Sequence, residues 1–276
     1  MPAMTTDQLM RAALDLVGWD ETPADCAIYH PGTRISHILL GIDIEPDLVF
    51  MARQLGYHAV VAHRPCGFTG PLWEVAGRHI DLLEAAGVPH QIAEEAVIPA
   101  LNVLRVQALR ENYDRAPSIA RLLDQPFLSI QSPLDELARR AIQTAIDGVV
   151  AAKPLALVGD LHDALMMLPS FAAAKTEMLA PLHGWDVPAG RVAVVHGAHI
   201  SPDAEIVKTY FAHGVDTVCC ADMAPDDIAY LTEEGASGNL LLMGRIATIS
   251  AGILPYVAHL RGQGIEVTTC CGVVGI

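Results

Sequence analysis

The stretch AVVAHRPCG, from Ala59 to Gly67, sets the class of fold that we expect. Small and β-branched apolar residues lead up to His63, and an arginine, a proline, a cysteine and a glycine follow directly. Such a run is typical of a buried strand, with the polar residues at its carboxyl end. Because α/β proteins bind ligands at this end of their strands, the stretch predicts an α/β protein with a polar site around His63 and Arg64.

The same pattern recurs along the chain. Apolar strand-like runs alternate with helix-like segments, and the clearest runs are HILLGIDI (37–44), RVAVVHGAH (191–199), VDTVCCAD (215–222) and NLLLMGR (239–245). This alternation predicts mixed sheets flanked by helices, in two α/β halves rather than one sheet. We expect the first half at residues 1–125, with a helical segment at 91–124. The remainder, 126–276, holds the second half, and the two pack as one unit around a cleft.

Two helix ends can also be predicted. The segment SPDAEIVKTYFAHG (201–214) places a serine before a proline and acidic residues, so we expect a helix with Ser201 as its N-cap. The helix that follows NLLLMGR contains Pro255, which predicts an interruption there.

Composition excludes several classes of protein. The 276 residues include 17 basic and 32 acidic side chains, a net charge of −15, so no basic surface for nucleic acid is expected. Hydrophobic residues make up 52% of the chain, enough for a folded core. No apolar run approaches the roughly 20 residues of a membrane span, and the first ten residues lack a signal-like core. We therefore expect a cytoplasmic protein with no membrane partner.

The six cysteines predict no disulfide framework. Four of them form vicinal pairs within apolar runs, where neighbouring strand residues point to opposite faces. We interpret them as reduced, buried small hydrophobes. Cys66 differs because it lies in the loop after His63, and a thiolate nucleophile at this position is the open alternative.

Polar side chains follow most of the strand-like runs. They are Asp43, His63, Arg64, Gln131, Asp135, His196, His199, Asp222 and Arg245. Because the carboxyl ends of parallel strands meet at one edge of a sheet, we expect these groups to converge. Imidazoles and carboxylates are ligands of first-row metals. Each residue alone is equally explained as a polar loop residue, so the spacing is not specific.

Five short segments carry a family resemblance: GIDIEP (41–46), AHRP (62–65), QSPLD (131–135), VGDLHDALMMLP (158–169) and GRIATI (244–249). In order and spacing they resemble motifs of the NIF-three-like superfamily, which includes YbgI-like proteins and those named type-two GTP cyclohydrolase I. The middle segment is similar to the archaeal-type branch. The resemblance implies two related α/β domains, self-assembly into a hexameric ring, and a pair of divalent metals in the cleft between the domains.

The family's metal ligands are only partly present. Of six ligand positions, His63 and Asp135 keep a ligand in this sequence. The other four positions carry Arg64, Gln131, Arg245 and Ile249. Arginine has no lone pair to offer a cation, and isoleucine has no donor atom. The resemblance therefore implies a degenerate dimetal site.

We favour the hypothesis that arginine has replaced metal. Arg64, Arg245 and Gln131 would then bind an anion or small molecule, and the two guanidinium groups would pair with Asp135. The protein would be a ring-forming homo-oligomer that binds a small molecule and holds no metal.

The alternative is a relocated single-metal site. His196, His199 and Asp222 would join His63 and Asp135 around one zinc, iron, manganese or nickel ion. The protein would then be a metal-dependent hydrolase of a small phosphorylated or nucleotide-like substrate.

Overall fold

The structure is a computed structural model that describes residues 3–67 and 71–276. Its strands are β1 (Ala27–His30), β2 (His37–Gly41), β3 (Ala59–Ala62), β4 (Phe127–Ser129), β5 (Val192–Val195), β6 (Thr217–Cys220), β7 (Asn239–Leu242) and β8 (Glu266–Cys270). Its helices are α1 (Thr6–Val17), α2 (Pro46–Gln54), α3 (Leu72–Ala76), α4 (Arg78–Ala85), α5 (His90–Ala108), α6 (Arg115–Leu122), α7 (Ser132–Ala152), α8 (Val158–Leu165), α9 (Pro169–Ala173), α10 (Ala204–Ala212), α11 (Pro225–Glu233) and α12 (Arg245–Gly262). Within the described ranges, no helix has the length and apolar character to cross a membrane.

The strands form two sheets, which confirms the prediction of an α/β fold with helix-flanked sheets. The first sheet has the order β1-β4-β3-β2-β8, with β1 antiparallel to β4 and the other pairs parallel. The second sheet, β5-β6-β7, is entirely parallel. Parallel strands need crossover connections, and the helices between successive strands supply them.

Register brings the strand ends level with one another. In the first sheet, Gly41 is paired with Ala62 and Ala62 with Ser129, so β2, β3 and β4 end together. In the second sheet, Val195 is paired with Cys220. The residues that follow the strands therefore lie along one edge of each sheet. Asp43 and His63 lie at this edge of the first sheet, and His196 lies at that of the second.

The chain crosses from one sheet to the other both before and after residue 125. Helices α4 and α5 come early in the chain, yet Leu83 and Val97 share a core with Val218 and Leu240 of the second sheet. Conversely, β8 comes last and pairs with β2 in the first sheet. Segment 91–124 contains most of α5 and all of α6, with residues 109–114 between the two helices, and α5 covers the second sheet. The division at residue 125 stays a prediction.

Both predictions about helix ends are wrong. Helix α10 begins at Ala204, and its N-cap is Asp203, whose side chain accepts a hydrogen bond from the amide of Ile206. The hydroxyl of Ser201 is engaged elsewhere, because it donates to Asp222. Helix α12 continues through Pro255, which is exposed, while buried neighbours such as Tyr256 hold the helix on the core.

Helices α7 and α12 approach closely because one residue has no side chain. A Cβ at Gly252 of α12 would lie 1.8 Å from the carbonyl oxygen of Leu134 in α7. Leu134 directly precedes Asp135, and α12 begins with Arg245. The close packing therefore fixes the position of α12, which begins with Arg245, relative to the turn of α7 that carries Asp135.

We expect Gly252→Ala to destabilise the protein by about 2 kcal/mol or more, because the added methyl group overlaps backbone that must move away. Thermal melting at fixed protein concentration measures the effect. The control is Gly148→Ala in α7, where a Cβ would meet nothing within 4 Å. This control should raise stability by about 0.5–1 kcal/mol, since alanine favours helix. Equal melting temperatures for Gly252→Ala and the unaltered protein would contradict the packing argument.

Candidate functional site

One cleft between the two sheets is lined by eight of the nine strand-end residues that were expected to converge, all except Asp43. Its volume is about 600 Å³, and it is lined by His63, Arg64, Gln131, Asp135, His196, His199, Asp222 and Arg245. The strand-end argument thus predicted which residues meet. The pairing of these residues divides the cleft into three parts. They are an inner group (Asp135, His63, His196 and Gln131), a mouth (Arg64 and Arg245, with Asp43) and an acidic wall (Asp222, Asp203 and Asp227).

Asp135 is the centre of the inner group. It lies in the first turn of α7 and is only 3% exposed. His63 Nε2 donates to its Oδ1 at 2.8 Å, and Gln131 Nε2 donates to its Oδ2 at 3.3 Å. Burial by itself raises the pKa of this carboxyl, but the nearby charges of His63 and His196 outweigh burial and lower the pKa well below its usual range. Asp135 is therefore an anion held between imidazoles.

Two buried ring nitrogens of this group have no hydrogen-bond partner in the described part of the chain. One is Nδ1 of His63. The other is Nε2 of His196, which lies 3.2 Å from Asp135 Oδ1 without the alignment of a hydrogen bond. Buried polar atoms are normally partnered, so both nitrogens are candidate contacts for a ligand.

His199 stands between the inner group and the mouth. Its Nδ1 donates to the amide oxygen of Gln131 at 3.2 Å. Burial, together with the positive charge of Arg64, lowers the pKa of His199 to about 4. The imidazole is therefore neutral near pH 7.

The two arginines meet a different carboxylate from the one expected. Arg245 Nη2 donates to both oxygens of Asp43, at 2.9 and 3.2 Å, and Arg64 Nη1 lies 3.9 Å from the same side chain. The hypothesis that they pair with Asp135 is wrong, because the oxygens of Asp135 already face His63, His196 and Gln131. Two guanidinium groups thus share one carboxylate at the mouth.

Asp222 belongs to the acidic wall. It follows β6, is exposed, and accepts a hydrogen bond from the hydroxyl of Ser201 at 2.5 Å. Asp203 and Asp227 also line the cleft. Asp222 therefore pairs with Ser201 and not with the histidines of the inner group.

The donor atoms do not fit the pair of metals that the family resemblance implies. Arg64, Arg245 and Ile249 line the cleft and offer no lone pair. Across residues 3–67 and 71–276, no three His, Cys, Asp or Glu side chains are arranged so that they could hold a metal ion. His63 directs its Nε2 at Asp135 itself, so these donors face one another and do not surround a shared open point.

Cys66 is not an activated nucleophile. Burial raises the pKa of its thiol to about 12, and its Sγ lies 3.3 Å from the carbonyl oxygen of Ile44 and 3.2 Å from that of Arg64. A thiol with such a pKa holds almost no thiolate near pH 7. The thiolate hypothesis is therefore wrong, and Cys66 packs beneath the Arg64 loop.

Sequence reasoning missed three contributors to the site. Asp43 was recognised only as a strand-end residue, although it holds both arginines. Arg78 and His79 lie on a helix outside the strand ends, and they contact the loop that carries His196 and His199. The strand-end rule finds residues that line a cleft and does not find residues that support it from behind.

No protein-family model and no curated protein matches the chain. Two solved structures share the fold at low identity. Reduced HcgD from Methanocaldococcus jannaschii has a TM-score of 0.59 at 12% identity, covering 97% of this chain and 98% of that one. A structure described as protein ybgI of unknown function has a TM-score of 0.53 at 14% identity, with the same two coverages. At these identities the likeness concerns the fold alone.

A third solved structure is much more similar. The NIF3 superfamily protein from Sphaerobacter thermophilus is 39% identical and has a TM-score of 0.96. The match covers 99% of this chain and 100% of that chain. The archaeal-type branch stays a prediction, but identity over the whole length, together with the shared fold, shows that this chain belongs to the NIF3 superfamily.

Proposed function

We propose that the protein binds a small phosphorylated molecule in the cleft, without the metal pair of the family pattern. The observation that carries the proposal is the sharing of Asp43 by Arg64 and Arg245. Two guanidinium groups and one carboxylate leave one positive charge at the mouth. That charge suits an anionic group.

Arg64 is the residue placed to receive the anion. Its side chain is 45% exposed, and its 3.9 Å separation from Asp43 is beyond hydrogen-bonding distance. Arg245, by contrast, is held by both oxygens of Asp43. A guanidinium offers parallel N–H groups that match phosphate oxygens. Arg64 therefore binds the phosphate, and Arg245 fixes the shared carboxylate.

The opposite wall selects the rest of the ligand. Asp222 and Asp227 present carboxylates there, with the hydroxyl of Ser201 beside them. Carboxylates accept hydrogen bonds from hydroxyl and amino groups. The ligand class is therefore a phosphate ester whose other end carries such donors, as a sugar phosphate does.

A second candidate function is a metal-dependent hydrolase that uses one relocated metal ion. The observation that favours it is the approach of His63 Nε2 and His196 Nε2 to a single oxygen of Asp135, at 2.8 and 3.2 Å. Two imidazoles and one carboxylate form a known ligand set for one divalent ion. Zinc, iron, manganese or nickel would require Asp135 to turn away from His63.

We further propose that the protein is a homo-oligomer, for which the resemblance suggests a hexameric ring. The support within this chain is an apolar row at the end of α5, formed by two helix residues and the C-cap Leu109. Val103, Val106 and Leu109 are 55%, 61% and 86% exposed at three-residue spacing. Exposed apolar rows of this kind mark interaction surfaces.

The binding proposal predicts opposite effects for two substitutions. Calorimetric titration with inorganic phosphate at low salt should show binding that Arg64→Ala weakens at least tenfold, since a charge-assisted hydrogen bond contributes about 1.5–3 kcal/mol. Asp43→Asn should tighten binding, because it removes the negative charge that offsets the two guanidinium groups. Arg53→Ala, on the exposed side of α2, is the matched control and should change nothing. If Arg64→Ala binds phosphate as well as the unaltered protein does, the proposal fails.

Metal content separates the two candidate functions. We expect mass spectrometry of untagged protein, purified without chelator, to find well below one divalent ion per chain, with no increase after zinc is added. One ion per chain that His196→Ala abolishes would establish the relocated site and the hydrolase candidate. His183→Ala, at an exposed position, is the control that should leave metal content unchanged.

The assembly is tested by size-exclusion chromatography with light scattering. We expect a mass several times the 29.4 kDa of one chain. Val103→Asp combined with Val106→Asp should reduce that mass, because two buried carboxylates oppose association. Leu122→Asp, at an apolar position on α6 that is even more exposed, is the control. An unaltered protein of 29.4 kDa in solution contradicts the ring.

A further inference from the structure

The loop that carries His196 and His199 has a strained backbone. His199 has a φ of +65°, which side chains other than glycine rarely adopt. The amide of Ile200 donates to the carbonyl of Ala198 at 2.7 Å, so residues 198–200 close a three-residue turn around His199. Turns of this kind with a positive central φ are rare and strained, and they persist only where the surroundings hold them.

Two consecutive side chains hold this turn from either side. Arg78 Nη1 donates to the carbonyl of Gly197 at 2.5 Å, and His79 Nε2 donates to the carbonyl of Ile200 at 3.0 Å. Both residues lie in the first turn of α4, more than a hundred residues earlier in the chain. The two carbonyls flank His199, so the pair grips the strained segment at both ends.

Arg78 also connects the loop to the inner group of the cleft. Its Nη2 donates to Glu136 at 3.1 Å, and its guanidinium lies 5.2 Å from the centre of the Trp19 ring. Glu136 directly follows Asp135 in α7. The side chain of Arg78 thus binds both the loop that carries His196 and the helix turn that carries Asp135. These two segments meet where His196 Nε2 lies 3.2 Å from Asp135 Oδ1.

Among the described residues, the side chain of His79 makes no hydrogen bond other than the one to Ile200. It is fully buried, and its Nδ1 has no partner among the side chains and backbone that the structure describes. Burial lowers the pKa of His79 to about 4, so the ring is neutral near pH 7 and carries one N–H. An aliphatic residue would fill the same space without burying an unpaired acceptor. The hydrogen bond to Ile200 is what the imidazole adds.

We propose that Arg78 and His79 are positioning residues that hold loop 196–200 so that His196 reaches Asp135 and His199 reaches Gln131. The consequence for ligand binding rests on the function proposed above. The grip on the loop does not, because it concerns only backbone contacts within this chain.

Hydrogen–deuterium exchange of the full chain tests the grip directly. In Arg78→Ala, peptides covering residues 196–203 should exchange at least tenfold faster. Arg139→Ala is the matched control, because the side chain of Arg139 is exposed to the same extent as that of Arg78 (25% against 24%) and binds the same Glu136 without touching the loop. It should change exchange in this segment less than twofold. Equal exchange in the two variants overturns the proposal.

A second pair of variants covers the case in which Arg78→Ala does not fold. His79→Leu removes the donor to Ile200 and keeps an apolar filler, so exchange at residues 196–203 should rise at least fivefold. His79→Gln places an N–H at a similar distance and should restore protection to within twofold of the unaltered protein. Failure of glutamine to restore what leucine loses counts against the proposal.

Phosphate titration of the same variants separates this inference from the proposed function. We expect Arg78→Ala to weaken phosphate binding at least fivefold while melting within a few degrees of Arg139→Ala. Faster loop exchange with unchanged phosphate affinity overturns the positioning role. If the unaltered protein does not bind phosphate, the proposed function fails, and the exchange measurements alone decide whether Arg78 and His79 hold the loop.

Discussion

The buried carboxylate of Asp135 is the constraint on which the rest of the cleft depends. Burying an ionised carboxylate without partners costs several kcal/mol. The partners of Asp135 come from both sheets. His63 follows β3 of the first sheet, and His196 follows β5 of the second. Because the carboxylate must keep these neighbours, it fixes how close the two strand edges come. The cleft is the space that remains around this contact.

The outline of this site could be predicted from sequence because it follows from local pattern. Apolar runs identify the parallel strands, and parallel strands end at a common edge, so the residues after them meet. That argument correctly placed His63, Asp135, His196 and Arg245 around one cleft. It missed strand β1, whose residues Ala27–His30 are only partly buried at the edge of the first sheet and show no clear apolar run.

Local sequence patterns could not predict which residues of the site bind one another. Arg245 and Asp43 are 202 residues apart, and nothing near either one indicates the other. The helix ends failed for a related reason. The sequence predicted Ser201 as the N-cap of α10, but its hydroxyl donates to Asp222, and Asp203 caps the helix. Likewise, Pro255 lies inside a continuous helix because packing on both sides of it outweighs the missing amide. In each case a tertiary contact decided between locally equivalent options.

The distribution of charge in the cleft explains why the proposed function needs no metal pair. Metal ions would have placed positive charge among the inner carboxylates. In this chain the guanidinium groups sit at the mouth, around Asp43, while Asp135 keeps its negative charge between imidazoles. The guanidinium groups are therefore partly exposed at the mouth, whereas the carboxylate of Asp135 is buried. Under the proposed function, the arginines at two metal-ligand positions of the family pattern give the mouth of the cleft the positive charge that an anionic ligand needs.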